Sequence, residues 1–134
     1  MPTIINEYQG SLRTSFIHLQ SGKKLITDAP TDNNGKGESF SPTDLVAGAL
    51  SACMLTIIGI KADPENIELS GLRSEVSKVM TADPRRISEV QIEFFWENCT
   101  ASENQRIMLK KAALSCPVAL SIHPDIKQDV KFNF

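Results

Sequence analysis

The spacing of hydrophobic and polar positions predicts strands in the first third of the chain and again after its midpoint. Turn formers such as Gly10 and Gly22 separate short β-prone segments near the N-terminus. Further along, hydrophobic side chains take every second position from Val90 to Trp96, which is typical of a strand with one buried face. We predict strands at residues 4–9, 11–19, 24–27, 67–80, 90–97 and 126–134, with a bulge near Gly71.

A long uncharged segment between these strands predicts a helix. Ser41 is a candidate N-cap, and Asp44 follows three residues later, as in a capping box. Residues 45–60 contain no charged side chain. They are shorter than the ~20 apolar residues of a membrane span. A helix that is apolar on all sides and does not span a membrane must be buried on all sides, so we expect a subunit interface to cover it.

A second helix is predicted at residues 103–115, where Ser102 and Gln105 form another candidate capping box. Pro117 ends this helix, and a short helical turn at 118–122 precedes the last strand. The order β-β-β-α-β-β-α-α-β predicts an α+β fold. A length of 134 residues and a hydrophobic content of 41% fit a single domain spanning residues 1–134.

The charge and composition of the chain argue against nucleic acids, membranes and metals as partners. The chain has 14 basic and 16 acidic residues, and a net charge of −2 argues against a nucleic-acid-binding surface. The N-terminus has no apolar segment of the signal-peptide kind, so we expect a cytoplasmic protein without a membrane partner. The cysteines form no CxxC motif and lie mostly far from the histidines, so we expect neither a metal nor a cofactor.

Three cysteines are the candidate reactive groups. Cys53 lies twelve residues after Ser41. That is about 18 Å along the helix, too far for the helix dipole to activate the thiol. Cys53 is either structural or a nucleophile with a cationic partner from elsewhere. Cys116 precedes Pro117 at a helix break, where it is either packed or stabilised as a thiolate by backbone N–H groups. Cys99 has no predicted role.

The segment SPTDLVAGALSACMLTIIGIKA, followed later by CPV, resembles the family of osmotically inducible protein C and organic hydroperoxide resistance proteins (OsmC/Ohr). The second cysteine of this pattern comes 116 − 53 = 63 residues after the first. Three further segments, GSLRTSFIHLQSGKKLITDAP, GKGESFSPT and DIKQDVKFNF, extend the resemblance over nearly the whole chain. The resemblance implies an OsmC-like fold, with antiparallel sheets wrapped around two central helices in an intertwined homodimer.

The resemblance also implies a thiol-dependent peroxidase that reduces organic hydroperoxides to alcohols. Cys53 would be the peroxidatic thiol, which becomes a sulfenic acid, and Cys116 would resolve it as a disulfide. A dithiol reductant such as a lipoyl group would restore both thiols. Arg13 stands where the family has an arginine that stabilises the thiolate, and the alternative is an exposed strand arginine.

One position departs from the pattern of the resistance proteins. They hold this arginine with a glutamate ten residues before the reactive cysteine, and this chain has Thr43 there. Asp44 or Glu38 could substitute, or Asp44 could simply cap its helix. The chain is therefore more similar to the broader OsmC-like group. The alternative function is a catalytically weak dimer that binds a small apolar ligand at its interface.

Overall fold

The helices and strands follow one another in the order that the sequence predicts. The structure is a computed structural model that describes residues 1–134. Its strands are β1 (Ile4–Gly10), β2 (Arg13–His18), β3 (Lys24–Asp28), β4 (Arg73–Thr81), β5 (Arg86–Phe95) and β6 (Lys127–Asn133). Its helices are α1 (Pro42–Ala62), α2 (Glu103–Leu114) and α3 (Pro117–Ser121), and short 3-10 turns lie at Thr31–Asn33 and Asp63–Glu65. The chain is therefore an α+β protein, as predicted.

The chain divides into two compact units, Met1–Val46 and Ala47–Phe134, and the prediction of a single domain stays a prediction. The first unit contains an antiparallel sheet in the order β1-β2-β3. A two-residue turn joins β1 to β2, and both of its residues have positive φ, 54° at Ser11 and 63° at Leu12. This backbone twist matches that of a tight hairpin, so β2 begins immediately after the turn.

The second unit contains a mixed sheet in the order β4-β5-β6. β4 and β5 pair antiparallel across a short turn, but β6 runs parallel to β5. The expectation of purely antiparallel sheets was therefore wrong for this sheet. Two helices, α2 and α3, connect β5 to β6, and a helical crossover is the usual way to bring neighbouring strands into parallel alignment.

The core of the second unit combines α1, α2 and the mixed sheet. Leu50, Met54 and Ile58 recur at every fourth position of α1 and are fully buried, so they form one helix face. In the sheet, the rings of Phe94 and Phe132 stack with centroids 5.1 Å apart. The buried hydrophobic residues of this core include Val90, Ile92, Trp96, Leu109, Ala113 and Cys116.

Two local details of β4 differ from the prediction. The strand begins at Arg73 rather than at residue 67, because Gly71 has φ +83° and forms part of a turn. Such a φ is easily adopted by glycine and does not fit a strand. The bulge lies instead between Val79 and Met80, near the other end of the strand.

The uncharged helix α1 is only partly buried within the chain. On the side away from the buried face, Ala49, Ala52 and Thr56 are exposed, and Ile60 is 58% exposed. The segment Pro42–Glu65 is long and apolar enough to cross a membrane by length and composition, with mean hydropathy 1.9. A core helix meets the same criterion, and one face of α1 packs in the core of the second unit. The prediction that a second subunit covers the other face stays a prediction.

Candidate functional site

Cys53 and Cys116 lie within the second unit, at the middle of α1 and at the start of α3. Cys53 is half-buried, Cys116 is fully buried, and both are free thiols. Cys116 is the N-cap of α3, with an extended backbone (φ −66°, ψ 156°) that Pro117 requires of the residue before it. The backbone N–H of Ala119 donates to its sulfur over 3.4 Å. The predicted helix break thus places this thiol at the beginning of a new helical turn.

The two thiols interact despite their separation in sequence. Burial is the main cause that raises the pKa of the Cys116 thiol, the N–H groups of Ala119 and Val118 oppose that rise, and the neighbouring Cys53 thiol adds to it. A thiol whose pKa is raised keeps its proton and can donate it to a neighbouring sulfur. Cys116 is therefore the protonated partner of the pair, and Cys53 is the more accessible one.

Arg13 belongs to an ion-pair cluster in the first unit. Its Nε and Nη2 donate to Oδ1 and Oδ2 of Asp28 over 2.7 and 2.8 Å, a side-on bidentate pair. The carboxylate of Glu38 lies 3.7 Å from Arg13 Nη2 and is a more distant second partner. Asp28 is 1% exposed, Arg13 31% and Glu38 65%. The arginine is therefore anchored on its buried side by Asp28.

Local folding explains why this cluster forms. The hairpin turn places Arg13 at the first position of β2, and the register between β2 and β3 sets it directly opposite Asp28. A parallel bridge between Thr27 and Phe40 closes the loop that follows β3. That closure lets the backbone N–H of Glu38 donate to Asp28 Oδ2 over 3.1 Å. The hydrogen bond from Arg13 is the main cause that lowers the pKa of Asp28, so this carboxyl is ionised.

The other predicted supporting residues form the cap of α1. The N–H of Ser41 donates to Asp44 Oδ2, and the N–H of Asp44 donates to Ser41 Oγ, both over 3.0 Å. The Thr43 hydroxyl lies 3.1 Å from that of Ser41. This is the capping box that the sequence predicts. Asp44 thus has the helix-capping function that the sequence left as one of two alternatives.

The sequence pattern does not indicate Asp28 as a site residue. The predicted strand ends at residue 27, whereas Asp28 is the last residue of β3. The signal that could have identified it is the hairpin register, because an acidic residue directly opposite an arginine is a favourable cross-strand pair. Cys99 is half-buried, and its carbonyl accepts a hydrogen bond from Arg106 over 3.4 Å, which fits a packing function. No group of three or more His, Cys, Asp or Glu side chains is placed to hold a metal ion.

Comparison with known proteins identifies the family. Residues 35–131 match the family of OsmC-like proteins. A crystal structure from Psychrobacter arcticus, provisionally named an osmotic stress induced and detoxification response protein, is 56% identical over 99% of this chain and 96% of its own, with a TM-score of 0.94. The chain belongs to the OsmC/Ohr family. No curated protein sequence matches it.

More distant structures share the fold. An organic hydroperoxide resistance protein OsmC from Legionella pneumophila is 21% identical, with a TM-score of 0.72 over 100% of this chain and 98% of its own. The organic hydroperoxide resistance protein OhrB of Bacillus subtilis is 16% identical, with a TM-score of 0.64 over 98% of each chain. The α+β architecture is thus that of OsmC-like proteins, and the family includes proteins named for resistance to organic hydroperoxides.

Proposed function

We propose that this protein is a thiol-dependent peroxidase that reduces organic hydroperoxides to alcohols. The observation that supports the proposal best is the interaction of Cys53 with Cys116, in which a half-buried thiol raises the pKa of a buried one that keeps its proton. A peroxidase of this kind needs a reactive sulfur that substrate can reach and a second sulfur within bonding distance of it. The names of the hydroperoxide resistance relatives support the same activity.

The proposed cycle uses both sulfurs. The Cys53 thiolate attacks the outer oxygen of a hydroperoxide, a sulfur–oxygen bond forms, the O–O bond breaks, and the alkoxide takes a proton to leave as an alcohol. Cys53 is then a sulfenic acid. The sulfur of Cys116 attacks it, the Cys116 proton leaves with the hydroxyl as water, and a disulfide forms. A dithiol such as a dihydrolipoyl group reduces this disulfide by exchange and becomes a disulfide itself.

Arg13 and a second subunit complete the proposal. The family resemblance gives Arg13 the task of stabilising the Cys53 thiolate, since a nearby positive charge favours the ionised form of a thiol. The exposed apolar side of α1 supports a homodimer, because water contact with Ile60 and its small neighbours is unfavourable. Light scattering during gel filtration tests the dimer, and a monomer at micromolar concentration would contradict it. A cytoplasmic location is part of the same proposal.

Peroxide turnover tests the function directly. We expect the wild type to reduce cumene hydroperoxide faster than hydrogen peroxide when dihydrolipoamide is the reductant, and Cys53→Ser to lose this activity. Cys99→Ser is the matched control, because it makes the same chemical change at a half-buried cysteine that the mechanism does not use. A Cys53→Ser variant that keeps full activity would remove Cys53 from the mechanism. An inactive wild type with reduced thiols would favour the alternative, a dimer that binds a small apolar ligand.

A further inference from the structure

Gln128 interrupts the apolar face of the last strand. Hydrophobic side chains take the alternate positions around it, Ile126, Val130, Phe132 and Phe134. Alternate residues of a strand share one face of the sheet, so the amide of Gln128 lies on the side that packs on the core. The parallel register pairs Gln128 with Val90, which is fully buried. A polar group at such a position needs a hydrogen-bond partner, and Gln128 Nε2 donates to the carbonyl of Ala119 in α3 over 2.9 Å.

We propose that Gln128 is the positioning residue that holds the α3 turn so that Cys116 can resolve the sulfenic acid of Cys53. This inference rests on the proposed function and assigns Gln128 to its second chemical step. In that step the Cys116 sulfur forms a bond to the Cys53 sulfur, the sulfur–oxygen bond breaks, and the hydroxyl leaves as water with the Cys116 proton. Gln128 acts on this step through the backbone of α3.

Gln128 holds the residue from which Cys116 receives a hydrogen bond. The N–H of Ala119 donates to Cys116 Sγ over 3.4 Å, and the N–H of Leu120 donates to the Cys116 carbonyl over 3.1 Å. The Ala119 carbonyl and the Leu120 N–H belong to one peptide group, which is planar. The bond from Gln128 to that carbonyl therefore also fixes the direction of the Leu120 N–H, a second donor to Cys116.

The helix α3 is too short to keep this geometry by itself. It has five residues, and the first turn of a helix costs more conformational entropy than its single hydrogen bond offsets. Carbonyls in the last turn of a helix also lack a partner within the helix. In α3, Ser121 Oγ donates to the Pro117 carbonyl over 2.7 Å, whereas the Ala119 carbonyl receives its donor from β6. Gln128 thus ties the turn to the sheet.

The hydrogen bonds of the turn also favour reaction at Cys116. Burial raises the pKa of this thiol, whereas the N–H groups of Ala119 and Val118 lower it. The thiolate is the nucleophile in disulfide formation, so a turn that loses its shape would leave a buried thiol with a still higher pKa. Loss of the Gln128 amide should therefore slow attack by Cys116 and leave the attack of Cys53 on hydroperoxide unchanged.

Rapid-quench mass spectrometry separates the two steps. The wild type and Gln128→Met are mixed with excess cumene hydroperoxide without reductant, and the free Cys53 thiol and the Cys53–Cys116 disulfide are followed over time. We expect the thiol to react at its wild-type rate while disulfide formation slows about 5- to 20-fold, because methionine has a similar shape but cannot donate. More Cys53 should then be oxidised to sulfinic acid by a second hydroperoxide, which leaves as an alcohol. Equal slowing of both steps, or of neither, would overturn the inference.

Gln91→Met is the matched control, because it makes the same change on the neighbouring strand β5. Gln91 is exposed, and its amide donates to Glu89 over 3.1 Å rather than to α3, so both steps should keep their wild-type rates. Gln128→Asn is the second variant if Gln128→Met does not fold. It keeps the amide on a side chain that is one carbon shorter, which places the donor beyond hydrogen-bond distance of the Ala119 carbonyl. Wild-type disulfide formation in Gln128→Asn would overturn the inference.

Diamide distinguishes this inference from the proposed function. This thiol oxidant forms an adduct with one thiol, and attack by a second thiol gives the disulfide and releases the reduced reagent, so no peroxide is needed. If hydroperoxide leaves the wild-type thiols unchanged, the proposed function fails. Slower disulfide formation by diamide in Gln128→Met would then still support the positioning by Gln128, and an unchanged rate would contradict it. If the wild type is a peroxidase that depends on Cys53 and Gln128→Met forms the disulfide at the wild-type rate, only the positioning by Gln128 is wrong.

Discussion

Oxidation of the thiol pair should make the protein measurably harder to unfold. A bond between Cys53 and Cys116 would close a loop spanning 116 − 53 = 63 residues. The loss of chain entropy in the unfolded state then favours folding by about 4 kcal/mol. The bond would also weaken the sulfur of Cys116 as acceptor for the Ala119 N–H, which costs roughly 1 kcal/mol. We expect the oxidised protein to gain about 3 kcal/mol in its free energy of unfolding.

Urea unfolding of the oxidised and reduced proteins measures this gain. Trp96 is the single tryptophan and is 4% exposed, so its fluorescence reports unfolding of the second unit. With a slope of roughly 2 kcal/mol per molar urea, the midpoint should rise by about 1.5 M. Protein concentration must be held constant, because a dimer unfolds in a concentration-dependent way. An oxidised protein with the same midpoint as the reduced one would refute the proposed disulfide or its effect on the unfolded chain.

Cysteine variants identify the bond responsible. Cys116→Ser should abolish the increase in midpoint on oxidation, because no partner for Cys53 remains within the pair. Cys99→Ser should retain the full increase, since Cys99 does not contribute to the pKa shift of Cys116 and its carbonyl contacts Arg106 instead. An increase that depends on Cys99 would mean that a different disulfide forms.

Three further predictions concern labelling, pH and packing. Iodoacetamide near neutral pH should label Cys53 well before Cys116, because Cys116 is buried and its pKa is raised. Peptide mass spectrometry measures the order of labelling, and labelling of Cys116 first would contradict this prediction. In the folded protein the pKa of Asp28 is lowered from 3.8, so its ionised carboxylate stabilises the folded state above pH 3.8. This stabilisation is lost as the pH falls through the pKa that Asp28 has in the folded state. The difference in unfolding free energy between the wild type and Asp28→Asn should therefore be constant near neutral pH and shrink in acid; a constant difference down to acid unfolding would contradict the ion pair. Phe94→Ala removes a fully buried ring and should cost about 3–5 kcal/mol in urea unfolding; a loss below about 1 kcal/mol would show that the ring is not a core residue.

Features encoded by neighbouring residues were predictable from the sequence. The capping boxes at Ser41 and Ser102 are confirmed, because a serine and a side chain three residues later define each one. The alternation in β5 is confirmed for the same local reason. The parallel pairing of β6 was not predictable in this way, because strand direction depends on how a whole helical crossover packs.

The residues of the candidate site show the same contrast between features that neighbouring residues encode and features that depend on long-range pairing. A cysteine at Cys53 and another before Pro117 are visible in the sequence, and the family resemblance relates them. The Asp28 contact depends on register between two strands, and register is a property of the pair rather than of either segment. The sequence pattern therefore indicated acids near the start of α1 as partners for Arg13 and did not indicate the residue opposite it.

The environment of Cys116 explains how two adjacent thiols could act in sequence rather than compete. Burial raises the pKa of Cys116, so this thiol remains protonated while its more accessible neighbour meets substrate. The same sulfur accepts an N–H from Ala119, and that hydrogen bond lowers its pKa. Once Cys53 is a sulfenic acid, it no longer carries the thiolate charge that raises the Cys116 pKa. Oxidation of the first thiol would therefore remove one cause that raises the pKa of the second, while burial still raises it and the N–H of Ala119 still lowers it.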